Sequence, residues 1–252
     1  MKIKKLLVFT LMVYGLSSMV FGICRADDWA EYQKYGHKGT KWDEFVRAGF
    51  TAFDTGNLGS AEMFLQRAIA RGCNDGLVYA KIGTFYEAQT NYKKALDYLL
   101  KAYKKLPSKY PNLQFTKDLD ETVGRVLFVS GDKKKAERYL KRSLKSGEKF
   151  TSLYFLGQIA REEGRSEEAI GYYGRALKAE HPQGTPITVD LLIMTDIGKV
   201  YFEMKRFDDS LYVWKKILEI DHSNQIARQY SELIEKQRYK EQEKKVMERI
   251  VQ

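Results

Sequence analysis

The feature that most constrains this chain is a pair of small residues, twelve positions apart, that occurs five times. The pairs are Gly49 and Ala61, Gly83 and Ala95, Gly124 and Ala136, Gly157 and Ala169, and Gly198 and Ser210. Successive glycines lie 34, 41, 33 and 41 residues apart, so one unit recurs with two insertions of seven residues. Two antiparallel helices approach closely only where a side chain is nearly absent. The spacing therefore predicts five pairs of packed helices.

Large apolar residues surround these small ones at helical spacing. In the first helix they flank the glycine four positions apart, as Ile82 and Tyr86 do around Gly83. In the second helix a large residue follows each small residue by four positions; these residues are Leu65, Leu99, Leu140, Tyr173 and Trp214. Turn residues such as Gly131 and Gly164 separate the two helices. The pattern gives each helix one buried stripe and predicts an all-α chain.

The stretch from Tyr79 to Pro107 closely resembles a tetratricopeptide repeat. Its sequence is YAKIGTFYEAQTNYKKALDYLLKAYKKLP, which has the aromatic opening, the two small residues and the closing proline of that family. The resemblance extends over residues 42–224. It implies a right-handed α-solenoid, in which no repeat buries its apolar face alone and stacked neighbours share one core.

This resemblance leads us to expect the following organisation. A targeting segment covers residues 1–26 and a pre-repeat segment covers 27–41, followed by repeats near 42–75, 76–109, 117–149, 150–183 and 191–224. The insertions, residues 110–116 and 184–190, are expected to lengthen loops at one edge of the array. Residues 225–252 hold seven Lys or Arg and five Glu with few apolar residues, which suits a charged capping helix.

The first residues indicate export, as in bacterial proteins with a signal peptide. Three lysines near the start precede an uncharged, mostly apolar run from Leu6 to Ile23. Small residues at Cys24 and Ala26 suit a signal peptidase, so we expect a chain that starts at Asp27 in the periplasm. The alternative is an uncleaved membrane anchor, because the 18-residue run is near the lower limit for spanning a bilayer.

Few groups in this sequence suggest chemistry. Its three histidines lie before the first repeat (His37) and at the ends of the fourth (His181) and fifth (His222), with no second ligand at metal-binding spacing. Neither a glycine-rich phosphate loop nor a nucleophile-elbow motif occurs. The composition, with 30% charged and 44% hydrophobic residues and two cysteines, excludes a disordered chain and a disulfide framework. We therefore expect no metal, no cofactor and no enzymatic activity.

The resemblance also implies a groove, lined by the first helix of each repeat, that binds a peptide or a partner helix. The groove residues that it assigns are Phe50, Phe53, Thr84, Glu87, Arg125, Phe128, Tyr154, Gln158, Arg161, Lys199 and Phe202. Aromatic residues beside charged ones are typical of binding hot spots. Phe50 and Phe53 could instead pack against Trp29 and Tyr32 of the pre-repeat segment, whereas Phe128 and Phe202 have no obvious cover. The predicted function is a protein-binding scaffold of the cell envelope.

A second candidate surface is a basic stripe in the third repeat. Lys134, Arg138, Lys141 and Lys145 have the spacing of one helix face. The stripe is either a solvated face or a contact for an anionic partner, such as lipid headgroups or an acidic protein surface. The alternative function is thus a membrane-apposed structural protein, held by the N-terminal segment or by this face. Nucleic acid is not an expected partner outside the cytoplasm.

Overall fold

The structure, a computed structural model, describes residues 27–35, 39–181 and 185–251. Every secondary-structure element in these residues is an α-helix or a 3₁₀ helix, and none is a strand, so the predicted all-α fold is confirmed. The chain forms two compact units, residues 1–143 and 144–252, a division that the repeat pattern did not predict. The predicted targeting segment, 1–26, lies outside the described residues.

In the first unit a short helix precedes three helix pairs. The helices are α1 (Asp27–Lys34), α2 (Asp43–Asp54), α3 (Leu58–Ala70), α4 (Gly76–Ala88), α5 (Tyr92–Lys109), α6 (Gln114–Lys117), α7 (Leu119–Val129) and α8 (Lys133–Ser143). The pairs are α2 with α3, α4 with α5, and α7 with α8. Asn57, Asp75, Asn91 and Asp132 each accept a hydrogen bond from a backbone N–H in the first turn of the helix that follows. These side chains satisfy donors that have no partner within the helix, and so they define where the helices begin.

The second unit contains two helix pairs and a long terminal helix. The helices are α9 (Phe150–Glu162), α10 (Ser166–Lys178), α11 (Ile187–Glu203), α12 (Phe207–Ile220) and α13 (Gln225–Val251), after a 3₁₀ turn at Leu144–Ser146. The terminal helix buries Ala227 and Ile234, and the ring of Tyr230 stacks on Trp214 with centroids 4.7 Å apart. Beyond Ile234 nearly every residue of α13 is exposed. Its first part therefore covers the apolar core of the fifth pair, and the rest lies in solvent.

Each helix pair meets at the glycine of its first helix. A Cβ atom placed on Gly83 would lie 2.8 Å from the side chain of Leu99, and one on Gly157 would lie 2.5 Å from the ring of Tyr173. The large residues seated on the other three glycines are Leu65, Leu140 and Trp214. The small residue of the second helix lies at the same crossing, since Ser210 Oγ donates to the Gly198 carbonyl at 2.8 Å. The glycines thus provide the space that the large residue of the second helix occupies.

A three-residue turn joins the helices of every pair, and its middle residue has a positive φ. Glycine fills this position in three turns, at Gly56, Gly131 and Gly164. The other two turns have Thr90 with φ 56° and Lys205 with φ 59°. A residue with a Cβ atom is disfavoured by about 1 kcal/mol in this conformation. One such strained turn lies in each unit.

The connections at the two insertions are longer than those between the other helix pairs, as predicted, but the described residues of both insertions are partly helical. In the first insertion Tyr110, Leu113 and Phe115 are buried, and Tyr110 Oη donates to the Asp75 carboxylate at 2.9 Å. Burial of these three apolar side chains favours packing of the segment against the rest of the first unit. In the second insertion α11 begins at Ile187, so the fifth helix pair starts earlier than the predicted residue 191.

None of the helices in the described ranges has the combination of length and apolar character needed to cross a membrane. The longest, α13, carries charged residues along its whole length. In the same part of the chain, no three or more His, Cys, Asp or Glu side chains are grouped where they could hold a metal ion.

Candidate partner-binding surfaces

In the first unit the predicted groove residues of α2 pack inside the protein. Phe50 contacts the rings of Trp29 and Tyr32 in α1, with centroid distances of 5.8 and 5.9 Å. The Lys81 ammonium group lies 5.2 Å from the ring centroid of Phe50 and 5.7 Å from that of Phe53. Such cation–π contacts stabilise a buried ammonium group. Packing against the pre-repeat segment, which the sequence left open as an alternative, is the arrangement found for Phe50.

Glu87 and Arg125 form a buried ion pair between α4 and α7. The guanidinium group donates to both carboxylate oxygens, with an Nη2–Oε2 distance of 3.2 Å, and the Glu87 side chain is 6% exposed. Burial raises the pKa of Glu87, and the charge of Arg125 acts in the opposite direction. Thr84 is also buried and donates to the Lys81 carbonyl at 2.9 Å. Phe128 is buried too, so its ring is not the open aromatic surface that the sequence suggested.

In the second unit a polar network joins the first helices α9 and α11. Gln158 Nε2 donates to Asp196 Oδ2 at 2.6 Å and to Tyr154 Oη at 2.7 Å. Arg161 donates to Asp196 Oδ1 at 3.0 Å and to Glu203 Oε1 at 2.7 Å. The side chain of Asp196 is 10% exposed, whereas that of Glu203 is 53% exposed. The network therefore runs from a buried carboxylate to one that solvent reaches.

Burial and the surrounding charges have opposite effects on the pKa of Asp196. Burial raises the pKa of Asp196, while the charges of Arg161 and Lys199 and two hydrogen bonds favour its ionised form. Burial likewise raises the pKa of Tyr154 well above its ordinary value, so this phenol keeps its proton and donates to Asp196. Sequence analysis missed Asp196 and Glu203. The signal was available, because Asp196, Lys199 and Glu203 have the spacing of one helix face.

Phe202 is half-buried and packs against other rings, contrary to the expectation that it had no cover. Its ring meets Tyr230 of α13 at a centroid distance of 5.2 Å and Phe207 at 5.6 Å. Thr195, on the same helix, bonds to the Leu191 carbonyl at 2.7 Å. The repeat pattern cannot show a contact made by a helix that follows the last repeat. Phe202 thus belongs to the interface between the fifth helix pair and its cap.

The predicted basic stripe is present on α8, but it is shorter than expected. Lys134, Arg138 and Lys141 are exposed, on the side away from the buried residues Ala136 and Leu140. Lys145 is exposed as well, but α8 ends at Ser143 and Lys145 lies in the 3₁₀ turn that follows. The helical face therefore contains three of the four predicted cations.

A second basic helix, α5, lies beside α8. The rings of Tyr103 in α5 and Tyr139 in α8 meet edge to face at 5.6 Å. The α5 helix has six lysines and one acidic residue, Asp97, and its exposed lysines include Lys93 and Lys104. Sequence analysis missed this helix because it treated α5 as the best example of the repeat and examined only its core positions.

Comparisons with known proteins agree with this architecture. A family model of the tetratricopeptide repeat matches residues 124–185. The fold is similar to that of YrrB, described as a TPR protein with an unusual peptide-binding site, at 18% identity over 83% of this chain and 99% of that chain, with a TM-score of 0.61. MamA from Desulfovibrio magneticus RS-1 is similar at 16% identity over 74% of this chain and 98% of that chain, with a TM-score of 0.58. No match was found among curated proteins.

A third solved structure, the Cut9–Hcn1 hetero-tetramer of the APC/C, aligns at 13% identity. It covers 89% of this chain and 42% of that chain, with a TM-score of 0.57. Helix pairs that pack through periodic glycines and stack on their neighbours define the class of α-solenoid repeat proteins. Residues 124–185 match the tetratricopeptide-repeat family, and the fold of the chain is that of a tetratricopeptide-repeat solenoid.

Proposed function

We propose that this protein is a non-catalytic scaffold that binds a peptide or a partner helix on the first helices of its second unit. The observation that carries the proposal is the network on α9 and α11. Its buried end, at Asp196, fixes the positions of Arg161 and Gln158, and its open end presents Glu203, one helical turn from the half-buried Lys199. Side chains that are already ordered lose little conformational freedom when a partner binds.

The chemistry of the open end suits a polar, extended ligand. Glu203 presents a half-exposed carboxylate, and Lys199 lies one helical turn before it on α11. Neighbouring groups of opposite charge can recognise a peptide that carries both charges in the complementary order. YrrB, which shares the fold over most of both chains and is described as having a peptide-binding site, supports a ligand of this class.

Peptides selected from a phage-displayed library against the full chain test this proposal. The variant K199A/E203A removes the open end of the network and keeps the hydrogen bonds of Asp196 to Arg161 and Gln158. The matched control is K216A/E219A, which removes a surface ion pair of 2.7 Å on the second helix α12. We expect fluorescence anisotropy to show a loss of peptide affinity of about tenfold or more for K199A/E203A, and less than about twofold for the control.

Two outcomes would reject the proposal. If K199A/E203A binds the selected peptides as tightly as the parent protein, the ligand does not contact this surface. If the parent protein selects no peptide at all, the chain does not bind peptides as a scaffold of this kind would.

We also propose that the scaffold works in the cell envelope after loss of residues 1–26. The support is the basic start and apolar run of that segment, which suit an export signal. N-terminal sequencing of the protein purified from cells should then give Asp27 as the first residue. A chain that starts at Met1 and sediments with membranes would instead support the uncleaved anchor.

A further inference from the structure

We propose that α5 and α8 together form a surface that binds an anionic lipid bilayer through electrostatic attraction. This basic face consists of the exposed cations Lys93, Lys94, Lys101 and Lys104 on α5 and Lys134, Lys135, Arg138, Lys141 and Arg142 on α8. Both helices belong to the first unit and contact each other through Tyr103 and Tyr139. The proposal does not depend on the peptide site, which lies on other helices in the second unit.

The charge of this face is high and of one sign. The helix α5 carries six cations and one acidic residue, and so does α8. Core packing does not require these lysines, because the buried stripes consist of Ala95, Leu99, Ala102 and Leu106 on α5 and Ala136, Leu140 and Ser143 on α8. Like charges at helical spacing repel one another and destabilise a helix slightly. A surface that keeps them is suited to an anionic partner.

Only part of this charge is neutralised within the protein. Lys141 Nζ lies 2.9 Å from Glu137, Lys135 Nζ lies 2.7 Å from Asp132, and Arg142 engages Asp120 at 2.6 Å. In the part of the chain that the structure describes, no ion pair involves Lys93, Lys104, Lys134 or Arg138. These four cations are available to an external anion.

The face lacks the exposed apolar and aromatic anchors that a folded protein partner would use. No large apolar side chain that is exposed in the described residues lies on α5 or α8. Protein interfaces gain most of their free energy from a few buried aromatic, apolar or arginine anchors. A layer of lipid headgroups needs no such anchor, because each nearby cation is attracted by the negative surface potential of the bilayer.

The aromatic rings of the face are already occupied, which argues against nucleic acid. The Arg142 guanidinium lies 5.1 Å from the ring centroid of Tyr103 and 4.5 Å from that of Tyr139, and Lys101 lies 5.0 Å from that of Tyr98. Single-stranded nucleic acids bind by stacking bases on open aromatic rings.

Vesicle flotation with the full chain tests the proposal. The probes are vesicles of phosphatidylcholine alone and vesicles of phosphatidylcholine mixed with phosphatidylglycerol. The variant K104E/K134E/R138E reverses three cations of the basic face, and K178E/K215E/K216E reverses three cations on α10 and α12 of the second unit. The readout is binding to anionic vesicles minus binding to neutral ones, which removes the apolar contribution of residues 6–23; the basic residues that flank this run are the same in the parent protein and both variants.

We expect the first variant to lower this difference about tenfold or more and the control to lower it less than about twofold. Binding by the parent protein should also fall steeply as salt shortens the Debye length from about 10 Å at 0.1 M. Thermal unfolding followed by circular dichroism should show that both variants remain folded, since surface substitutions change stability little.

Several results would overturn the proposal. Equal binding by the parent protein and the K104E/K134E/R138E variant would show that the face does not bind lipid. An equal loss for both variants would show that only the net charge matters. Binding of DNA or polyglutamate to this face under salt conditions that prevent vesicle binding would assign the face to that other partner. None of these results affects the peptide site, which different variants test.

Discussion

The two units share one packing scheme and differ in the charge of their second helices. In the first unit α5 and α8 each have six cations and one acidic residue. In the second unit α10 has two cations and two acidic residues, and α12 has two cations and three acidic residues. Beneath both surfaces a large side chain of the second helix packs on a glycine of the first. The repeat therefore determines the core and leaves the solvent-facing positions open to separate functions.

The first helices of the two units also differ, in how they hold a buried carboxylate. In the described residues, the only hydrogen-bond and ion-pair partner of the Glu87 carboxylate is Arg125. Asp196 has three partners, Arg161, Gln158 and Tyr154. A carboxylate with a single partner depends on it completely, whereas one with three partners retains hydrogen bonds when one partner is lost.

Removing the arginine should therefore cost more in the first unit than in the second. We expect Arg125→Ala to lower the free energy of unfolding by about 3–5 kcal/mol, because it leaves a buried charge without compensation. Arg161→Ala should cost about 1–3 kcal/mol, because Asp196 keeps its other two hydrogen bonds. Urea unfolding measured by circular dichroism checks the order, and a larger loss for Arg161→Ala would contradict this account.

The pH dependence of Arg125→Ala provides a sharper check. Without Arg125, the pKa of Glu87, already raised by burial, rises further. Above the ordinary carboxyl pKa the folded state then holds a proton that the unfolded state has released, so stability falls as the pH rises. The loss relative to the parent protein should be smaller at about pH 5 than at about pH 8. Adding Glu87→Gln should abolish this difference.

A glycine-to-alanine substitution should lower stability by different amounts at different helix crossings. Gly157→Ala is expected to cost about 1–3 kcal/mol, because the new Cβ atom would meet the stiff, buried ring of Tyr173. Gly83→Ala should cost less, because its Cβ atom would lie 2.8 Å from the nearest atom, Leu99 Cγ, whereas that of Gly157→Ala would lie 2.5 Å from the Tyr173 ring. The matched control is Gly171→Ala in α10, where no neighbouring atom would lie within 4 Å of the new Cβ atom. This substitution should stabilise the protein by about 0.5–1 kcal/mol. Equal stability of Gly157→Ala and the parent protein would contradict the helix crossing described here.

The smallest expected effect concerns the two turns without glycine. Thr90→Gly and Lys205→Gly relieve a positive φ in a residue with a Cβ atom, but glycine also gives the unfolded chain more freedom. The net gain should be about 0.5 kcal/mol, and larger for Thr90 because it is β-branched. Gly164→Ala is the reverse control and should be destabilising. A loss of stability for Thr90→Gly in a thermal melt would rule out strain at this turn.

Much of the fold could be predicted because the information is periodic. The twelve-residue offset between Gly198 and Ser210 indicates where two helices cross, and the residue four positions later, Trp214, is the one that packs on the glycine. Both regularities repeat in every pair. The start of α11 at Ile187 was not predicted, because it departs from that period.

The candidate sites were less predictable, because their contacts join residues without a fixed spacing. Tyr110 bonds to Asp75, and Phe202 is covered by Tyr230. Neither contact repeats from one unit to the next, so no pattern shows it. By contrast, the lysines of α5 and the acidic residues of α11 were present at helical spacing and could have been found by examining the solvent-facing positions of every helix.

Cys73, which lies between α3 and α4, can be used to measure local opening of the protein between the first two helix pairs. It is the only cysteine in the described residues, its side chain is buried, and burial raises the pKa of its thiol to about 11. Because the thiolate is the reactive form, alkylation in the native state is slow. Mass spectrometry of alkylation at Cys73 over time therefore measures how often the first two helix pairs separate, without any added label.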